Sequence, residues 1–485
     1  MIRKYIKYST VLSVTLFLAL AVQAQVSTLY FMKNASTRHE MNPAYQPISN
    51  LYIDLPIIPS LMLSAGTNSL SLNDFIYPVR QPNGSYKTVW FKHSQQGIDD
   101  FYNQLKDVTR MHLEQDFGLL SVGLRYQQAY FTLGVKQRFF SAISFPKDMF
   151  TLPLKGSGPE GAEFNLDDLA FNASTYTEIA LGYSREIDSR LTVGGKVKLL
   201  LGQFNSSMKT ENFRINTSRE RWDIDFNAKV NITLPSAQYI EKESEQKIHK
   251  IDFPDATFSD YLSPQGVGAA LDLGATYKLL DNRLTLSASV LDLGFIRWSK
   301  KGTANLPIEA GFYYDGLKLE ERDGKITDDK GNTNWFDDYF DSLGDSVQYT
   351  TSHNAYTTSV ASKILIGGEY SIMDEKMTFG LLSKNMFTGQ AFFAEITASA
   401  NYFPVDWFDA SLSYSLINGR SAIGLGLGTQ FGPFNFFIAS DYALTRLTKE
   451  FVPSHLRAAN FQLGGILTFG RQQKKSLPPS LQEEE

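Results

Sequence analysis

Apolar and polar residues alternate strictly along residues 219–234. One face carries Trp222, Ile224, Phe226, Ala228, Val230, Ile232 and Leu234, and the other carries Asp223, Asp225, Asn227, Lys229, Asn231 and Thr233. A period of two residues is the pattern of a β-strand with unlike faces. Strands of soluble sandwiches run about 5–6 residues and tilted membrane strands about 9–11, so this length favours a membrane barrel.

The same alternation recurs in neighbouring segments that are joined by short polar turns. Residues 121–126 and 129–136 flank a turn at 127–128, and similar pairs are 177–183 with 191–201 and 271–279 with 284–293. Six more segments lie between 364 and 442, and a last one spans 461–469. This repeated strand–turn–strand pattern predicts an up-and-down meander of about 14 strands. Residues 51–65 and a weak strand at 208–216 make about 16 strands the alternative.

We predict an all-β fold, a closed antiparallel transmembrane β-barrel over residues 51–470 with long extracellular loops. Every backbone N–H and C=O must be paired in lipid, and an open sheet edge would cost several kcal/mol per group. A soluble β-sandwich is the alternative, since it also has short strands and turns. It leaves the strand lengths and the repeated tight turns unexplained.

The N-terminus has the pattern of an export signal. Arg3, Lys4 and Lys7 precede an apolar stretch at residues 11–22 and a small-residue exit. We expect residues 1–24 to be a signal peptide that is cut between Ala24 and Gln25. The remaining chain has no apolar run of about 20 residues, so any crossing must use strands. The expected location is the outer membrane of a Gram-negative cell.

Composition narrows the choice of partners. The 485 residues include no Cys, which excludes disulfides and thiol chemistry, and the net charge is only -5, which gives no basic surface for nucleic acid. With 35 Phe and 24 Tyr, the chain is rich in residues that favour strands and bilayer interfaces. We therefore expect the lipid bilayer, and no nucleic acid, as a partner.

Two long segments and the chain end interrupt the alternation. Within residues 66–115, Ile98, Phe101, Leu105 and Val108 have helical spacing, so this insert predicts a helix that caps the barrel mouth or packs outside it. Residues 299–359 predict a long exposed loop, because 309–345 hold 11 acidic residues against 4 basic ones. The polar tail, residues 471–485, is expected to be disordered.

The polar faces of the strands identify residues for the barrel lumen. If the apolar faces meet lipid, ten charged side chains point inward: Glu178, Lys196, Lys198, Asp223, Asp225, Lys229, Asp272, Glu369, Glu395 and Asp441. Charges of both signs fit either a water-lined passage or an interior held together by ion pairs.

Motifs for catalysis and for cofactors are missing from the sequence. The six histidines are scattered without a metal-binding spacing, and the glycine run at 424–428 has no helix after it to hold a phosphate. No GxSxG elbow occurs, although a Ser-His site built from separate strands stays open. We predict no enzyme activity, no metal and no cofactor.

A short motif resembles a known group of outer-membrane proteins. Residues 41–56 read MNPAYQPISNLYIDLP, in which Asn42, Pro43 and Ala44 match the Asn-Pro-Ala entry to the barrel in FadL-like and PorV-like proteins. Residues 271–298 are similar to a hairpin of an uncharacterised FadL-like family. The resemblance implies a barrel of about 14 strands. Those families usually carry a longer glycine-rich hatch before the motif, whereas only residues 25–41 are available here within the entry segment 25–50.

The resemblance implies two functions. The FadL branch implies passage or binding of small hydrophobic molecules, and the PorV branch implies a non-transporting partner of a protein secretion or surface-assembly complex. Since loops are free of the constraints that lipid and pairing impose on strands, we expect recognition to lie in the entry segment and the long acidic loop.

Overall fold

The computed structural model describes residues 26–54, 60–70, 76–80, 86–90, 95–242, 247–252, 258–314, 319–322, 325–328, 348–389, 391–417, 420–442, 446–447, 453–454 and 458–471. The predicted signal peptide, its cleavage site at Ala24 and Gln25, and the tail beyond residue 471 lie outside these residues. So does most of the acidic stretch within 309–345.

Strands dominate the described chain. The first nine are β1 (Ser49–Asp54), β2 (Leu61–Thr67), β3 (Ile76–Arg80), β4 (Tyr86–Trp90), β5 (Val108–Tyr126), β6 (Ala129–Pro146), β7 (Ala162–Asn165), β8 (Ala170–Glu186) and β9 (Leu191–Thr217). The next ten are β10 (Trp222–Thr233), β11 (Gln238–Lys242), β12 (Lys247–Asp252), β13 (Gly266–Leu279), β14 (Leu284–Trp298), β15 (Thr303–Tyr314), β16 (Leu319–Arg322), β17 (Lys325–Asp328), β18 (Gln348–Tyr349) and β19 (Tyr356–Ser359). The last nine are β20 (Ser362–Ile372), β21 (Met377–Phe387), β22 (Phe392–Val405), β23 (Phe408–Ile417), β24 (Arg420–Phe431), β25 (Phe434–Ser440), β26 (Arg446–Leu447), β27 (Pro453–Ser454) and β28 (Ala458–Arg471).

Helices are few and short. They are α1 (Gln95–Gln104), α2 (Asp148–Lys155) and α3 (Phe258–Leu262), with 3₁₀ turns at Ser27–Phe31 and Ser36–Glu40. None of the described helices is both long and apolar enough to cross a bilayer.

Fourteen antiparallel strands close into a barrel, as the alternation predicted. The wall runs in the order β5, β6, β8, β9, β13, β14, β20, β21, β22, β23, β24, β25 and β28. The fourteenth wall strand consists of β1 and β2, which both pair with β28 on one side and β5 on the other. Closure leaves no edge strand in the wall, which satisfies the backbone pairing that lipid requires.

The two ends of the barrel differ in the length of their connections. At the short-turn end, tight turns join β5 to β6, β8 to β9, β13 to β14, β20 to β21, β22 to β23 and β24 to β25. Several of these turns use left-handed backbone, for example at Asp281, Asn282 and Asp374. At the opposite, long-loop end, connections carry the helices and the minor strands.

The barrel is apolar outside and polar inside. Large apolar side chains are exposed along the wall, for example Leu181, Val197, Leu286, Ile366 and Leu412. Exposed aromatic residues gather near the short turns: Tyr126, Tyr277, Tyr370, Tyr402, Trp407, Phe431, Phe434 and Phe469. An apolar band edged by aromatic rings is the surface of a transmembrane barrel.

The strand with the longest alternation is not part of the wall. β10 pairs with β15 on one side and with the second half of β9 on the other, beyond the point where β9 leaves β13. Its alternation has another cause, because Trp222 and Ile224 cover a small apolar cluster around Phe164 at the long-loop end. The predicted weak strand at 208–216 is the second half of β9, so the alternative of about 16 wall strands is wrong.

The two long segments also differ from expectation. β5 begins at Val108, so the insert is shorter than 66–115 and Val108 is a strand residue. Phe101 and Leu105 pack with Leu70 against the partly buried Phe150 of α2 at the long-loop end. Residues 299–359 are not one loop, because they include β15, which pairs with β10, and β19, which pairs with β14.

Candidate functional site

Residues 26–48, called here the plug segment, lie inside the barrel near the short-turn end. Leu29, Tyr30, Phe31 and Met32 are completely buried. The segment has no strand pairing and follows two 3₁₀ turns before it continues into β1. Although it is short, the plug segment fills the lumen near the short-turn end. Positions nearer the long-loop end are called above it, and positions nearer the short turns are called below it.

A buried carboxylate holds the start of the plug segment. Asp441 accepts hydrogen bonds from the backbone N–H groups of Ser27 and Thr28, both at 2.8 Å, and from the amide of Asn460 at 2.6 Å. Thr28 Oγ1 also lies 2.6 Å from Ser413 Oγ on β23. These hydrogen bonds to one buried carboxyl group fix the start of the plug segment in the lumen.

The Asn-Pro-Ala motif locks the other end of the plug segment to the wall. The Asn42 amide donates to the backbone oxygens of Ala275 and Ala288, at 3.3 and 3.2 Å, and its Oδ1 accepts from the Ala44 N–H at 3.0 Å. The wall has glycine where the motif meets it, since a side chain at Gly274 would overlap Asn42. A side chain at Gly194 would likewise overlap the backbone of Pro43.

His39 and Glu40 connect the plug segment to two further wall strands, β1 and β6. His39 Nδ1 donates to the Ser36 carbonyl at 2.8 Å, and Nε2 lies 3.0 Å from Tyr52 Oη on β1. Burial lowers the pKa of His39 to about 3, and nearby Lys196 acts in the same direction. Burial alone would raise the pKa of Glu40, but Lys136, 2.6 Å away, brings it down to about 2. The histidine is therefore neutral and the glutamate ionised at neutral pH.

Above the plug segment, on its long-loop side, a buried arginine forms ion pairs with four carboxylates. Arg138 on β6 contacts Glu114 at 3.2 Å, Asp116 at 2.9 Å, Glu178 at 2.8 Å and Asp292 at 2.9 Å. All five side chains are less than 9 % exposed. Buried charges are tolerated only when they are paired and hydrogen-bonded, which this arrangement achieves.

A second cation extends the network around the wall. Lys198 on β9 lies 2.8 Å from Asp272 and 2.6 Å from Asp292. Asp292 reaches inward because β14 bulges there: Leu291 and Asp292 oppose the single residue Asp272, and Asp292 has φ 58°. The bulge thus turns two consecutive side chains into the lumen.

One ion pair crosses the bore. Lys363 on β20 contacts Glu114 on β5. Five wall strands separate β20 from β5 on one side and seven on the other, so the pair joins nearly opposite parts of the wall. The lumen is therefore spanned by side chains at the level of Arg138.

An apolar layer lies above the charged one. On four strands, an apolar residue sits two positions closer to the long-loop end than a charged one: Phe140 after Arg138, Tyr176 before Glu178, Leu200 after Lys198 and Ala270 before Asp272. These four apolar residues are buried in two clusters, one with Met386 and Phe393 and one with Ile296 and Trp298.

Below the plug segment, a vestibule of about 1300 Å³ opens at the short-turn end beside Lys33, Arg38 and Glu375.

The structure buries seven of the ten residues assigned to the lumen: Glu178, Lys196, Lys198, Asp272, Glu369, Glu395 and Asp441. The assignment is wrong for Asp223, Asp225 and Lys229, which are exposed on β10. They lie in the extension of the sheet beyond the wall, where an alternating strand faces solvent instead of lipid and lumen.

Sequence reasoning missed the central residues of the network. Continuing the inward alternation of Thr132, Gly134 and Lys136 by one step would have reached Arg138. Glu114 and Asp116 had no such signal, because the register of β5 shifts between Gly118 and Leu120 and reverses which residues face inward.

A serine and a histidine do meet in the lumen. Ser64 Oγ lies 3.3 Å from His112 Nε2. Within the described part of the chain, the buried His112 Nδ1 has no hydrogen-bond partner, so no carboxylate orients the ring. The pair therefore lacks the third member of a hydrolytic triad.

Comparison with known proteins finds one matching family model. A model described as "Family of unknown function (DUF5723)" matches residues 43–441. No curated protein matches the chain.

Among solved structures, the barrel is similar to the toluene transporter TodX of Pseudomonas putida, with 10% identity, 89% of this chain and 93% of that chain covered, and a TM-score of 0.36. A FadL homologue of Pseudomonas aeruginosa gives 9% identity, coverage of 88% and 91%, and a TM-score of 0.36. The translocator domain of the autotransporter NalP of Neisseria meningitidis gives 6%, 91% and 100%, and 0.33.

Proposed function

The chain belongs to DUF5723, a family of unknown function, and from its barrel we propose a normally closed outer-membrane protein that binds small hydrophobic molecules and lets them pass only when the plug segment moves. The plug segment itself is the observation that carries this proposal. It fills the lumen between the charged layer and the vestibule at the short-turn end, and hydrogen bonds, ion pairs and apolar packing hold it there.

The membrane placement rests on the outer surface of the wall. Its apolar band and aromatic edge suit a lipid bilayer. In outer-membrane barrels the short turns lie on the periplasmic side. The plug segment would then close the periplasmic end, and the long loops would face the outside.

The ligand class rests on the order of the layers. A molecule that moves down the lumen from the long-loop end meets the apolar clusters around Phe140 and Trp298 before it meets the charged layer. Polar solutes would gain little binding free energy there. Small apolar molecules would gain about 25 cal/mol for each Å² of apolar surface that they bury. The charged layer underneath opposes straight passage of an apolar molecule, so passage requires a rearrangement.

A disulfide that locks the plug segment tests this proposal. The chain has no Cys, so a Thr28→Cys, Ser413→Cys pair would be the only one, and the two hydroxyls it replaces are 2.6 Å apart. The matched control is Thr397→Cys, Ser415→Cys, whose hydroxyls are 2.7 Å apart within the wall. Uptake of radiolabelled toluene and oleate across the lipopolysaccharide-bearing outer membrane of intact cells should fall to the level of cells without the protein in the oxidised first pair and return on reduction, while the control pair transports in both states.

A second function has its own support. Ion pairs that cross the bore, such as Lys363 with Glu114, are what a permanently filled, non-transporting barrel would carry. Such a barrel would serve as the partner of a secretion or surface-assembly complex, with the extension of β9, β10 and β15 as its exposed platform. If neither ligand enters with the wild-type protein or with the reduced Thr28→Cys, Ser413→Cys variant, transport is rejected in favour of this role.

A further inference from the structure

The lipid-facing wall carries an apolar groove of about 600 Å³ over β5, β6, β8 and β9. Leu124, Phe131, Leu181 and Val197 line it with exposed side chains. Its floor is Gly195, which lies on the outward face between Val193 and Val197 and has no side chain to fill the recess; an added Cβ there would lie 3.2 Å from the backbone oxygen of Asp272. The groove is thus a recess in the apolar outer surface of the wall.

The groove lies close to the short-turn end, beside a positive charge. Tyr183 lines it, and Arg185 is the next residue of β8 on the same outward face. Residues two apart on one face of a strand are about 7 Å apart. Both are exposed, so the apolar recess ends at an interfacial tyrosine and then at a guanidinium.

We propose that this groove binds one phospholipid of the adjoining leaflet, with an acyl chain against Gly195 and the phosphate on Arg185. The apolar lining selects a hydrocarbon chain. The planar guanidinium matches the geometry and charge of a phosphate, which sits at the edge of the hydrocarbon where Arg185 lies. A peptide partner would instead leave its backbone polar groups unpaired in this recess.

The site has a particular position relative to the plug segment. A small cavity inside the barrel, lined by His39 and Pro43, shares Gly182 and Gly195 with the outer groove. Only the backbone of β8 and β9 separates the bound chain from the cavity beside the Asn-Pro-Ala motif. The lipid therefore packs on the wall directly behind that motif, whether or not the barrel transports anything.

Photo-crosslinking tests the site. Protein would be reconstituted in vesicles of phosphatidylethanolamine and phosphatidylglycerol, with a trace of phosphatidylglycerol that carries a diazirine in one acyl chain. We expect the label to concentrate on residues 131–133, 181–183 and 197. Gly195→Leu, which fills the floor, and Arg185→Gln, which removes the charge, should each reduce this labelling at least fivefold.

Matched controls lie elsewhere on the barrel. Gly368 on β20 lies on the outward face with Ile366 and Tyr370, and the nearest atom to an added Cβ there is 3.7 Å away, so Gly368→Leu should fold and label normally. Arg283 is exposed at another short turn, so Arg283→Gln should also label like wild type. Diacylglycerol with the same diazirine chain, which lacks the phosphate, should label the groove at least fivefold less.

Two results would overturn the proposal. Labelling spread evenly around the wall would show that the groove holds no particular lipid. Loss of labelling in Gly195→Leu without any loss in Arg185→Gln would reject the phosphate contact and leave only unselective packing of hydrocarbon. Heat-dependent gel migration of each variant would show that its barrel is folded before it is compared.

Discussion

Replacing Arg138 by methionine removes the cation that contacts four buried carboxylates. The methionine keeps much of the apolar volume of the side chain, so the change is mainly one of charge. Glu114, Asp116, Glu178 and Asp292 would lose a partner at 2.8–3.2 Å. Lys198 and Lys363 would remain as the neighbouring cations.

Removal of one partner from a buried ion pair typically costs about 3–5 kcal/mol, because the other charge stays buried without compensation. Arg138 touches four carboxylates, so we expect a loss in unfolding free energy at the upper end, about 5 kcal/mol. An exposed ion pair contributes only about 0–1 kcal/mol.

Arg214 on β9 provides the matched control. It also contacts two carboxylates, Glu163 and Asp167, but its side chain is 40% exposed on the extension beyond the wall. Arg214→Met should therefore change the unfolding free energy far less than Arg138→Met, because water screens its ion pairs. Both variants would be measured by urea unfolding in lipid vesicles with tryptophan fluorescence.

A compensating variant keeps the test decisive if Arg138→Met does not assemble. Asp116→Asn and Asp292→Asn together remove two of the charges that the methionine leaves unpaired, so the triple variant should recover part of the lost stability. Equal small losses for Arg138→Met and Arg214→Met would refute the reasoning, because they would mean that water screens the network and that the lumen is open at this level.

Three further predictions concern the plug segment and the wall. The pKa of His39 is about 3 in the folded protein and about 6.5 in an unfolded chain, so the native state binds fewer protons and loses stability as the pH falls below about 6.5. This loss is about 2 kcal/mol at pH 5, and His39→Gln should remove it from urea unfolding measured between pH 7 and 5; an unchanged slope would contradict the assignment. Asn42→Asp should lower the thermal midpoint of gel migration more than Asn42→Ala, because a carboxylate would face the backbone oxygens of Ala275 and Ala288; equal effects would argue against those contacts. Ile366→Arg should impair assembly by about 2–4 kcal/mol because the side chain faces lipid, whereas Val230→Arg on β10 should assemble normally; similar defects would place β10 in the membrane.

Alternation and turn spacing predicted the closed barrel, which is confirmed. The count of 14 strands is also right, but it included β10, which lies outside the wall, in place of the strand formed by β1 and β2. These patterns work because lipid forces every wall strand to pair on both sides and to show an apolar face. The same rule correctly placed Glu178, Lys198 and Asp272 inside, since each lies on a regular part of its strand. Alternation alone could not tell lipid from solvent, which is why β10 was assigned to the wall.

The centre of the lumen could not be predicted for a different reason. Bulges in β5 and β14 reverse the facing of Asp116 and turn Asp292 inward, and no local pattern marks where a strand gains a residue. Contacts across the bore, such as Lys363 with Glu114, join residues far apart in the chain. Their pairing depends on the closure of the barrel, which fixes which strands are opposite.

The central claim is that residues 26–48 occupy the lumen, and disulfide formation in intact outer membranes tests it most directly. Thr28→Cys and Ser413→Cys should join almost completely under mild oxidation, because their side chains meet at 2.6 Å. Before oxidation, a membrane-impermeant maleimide should label position 28 only after the barrel is unfolded. Rapid labelling of that position in the folded protein, together with no cross-link to position 413, would contradict the account.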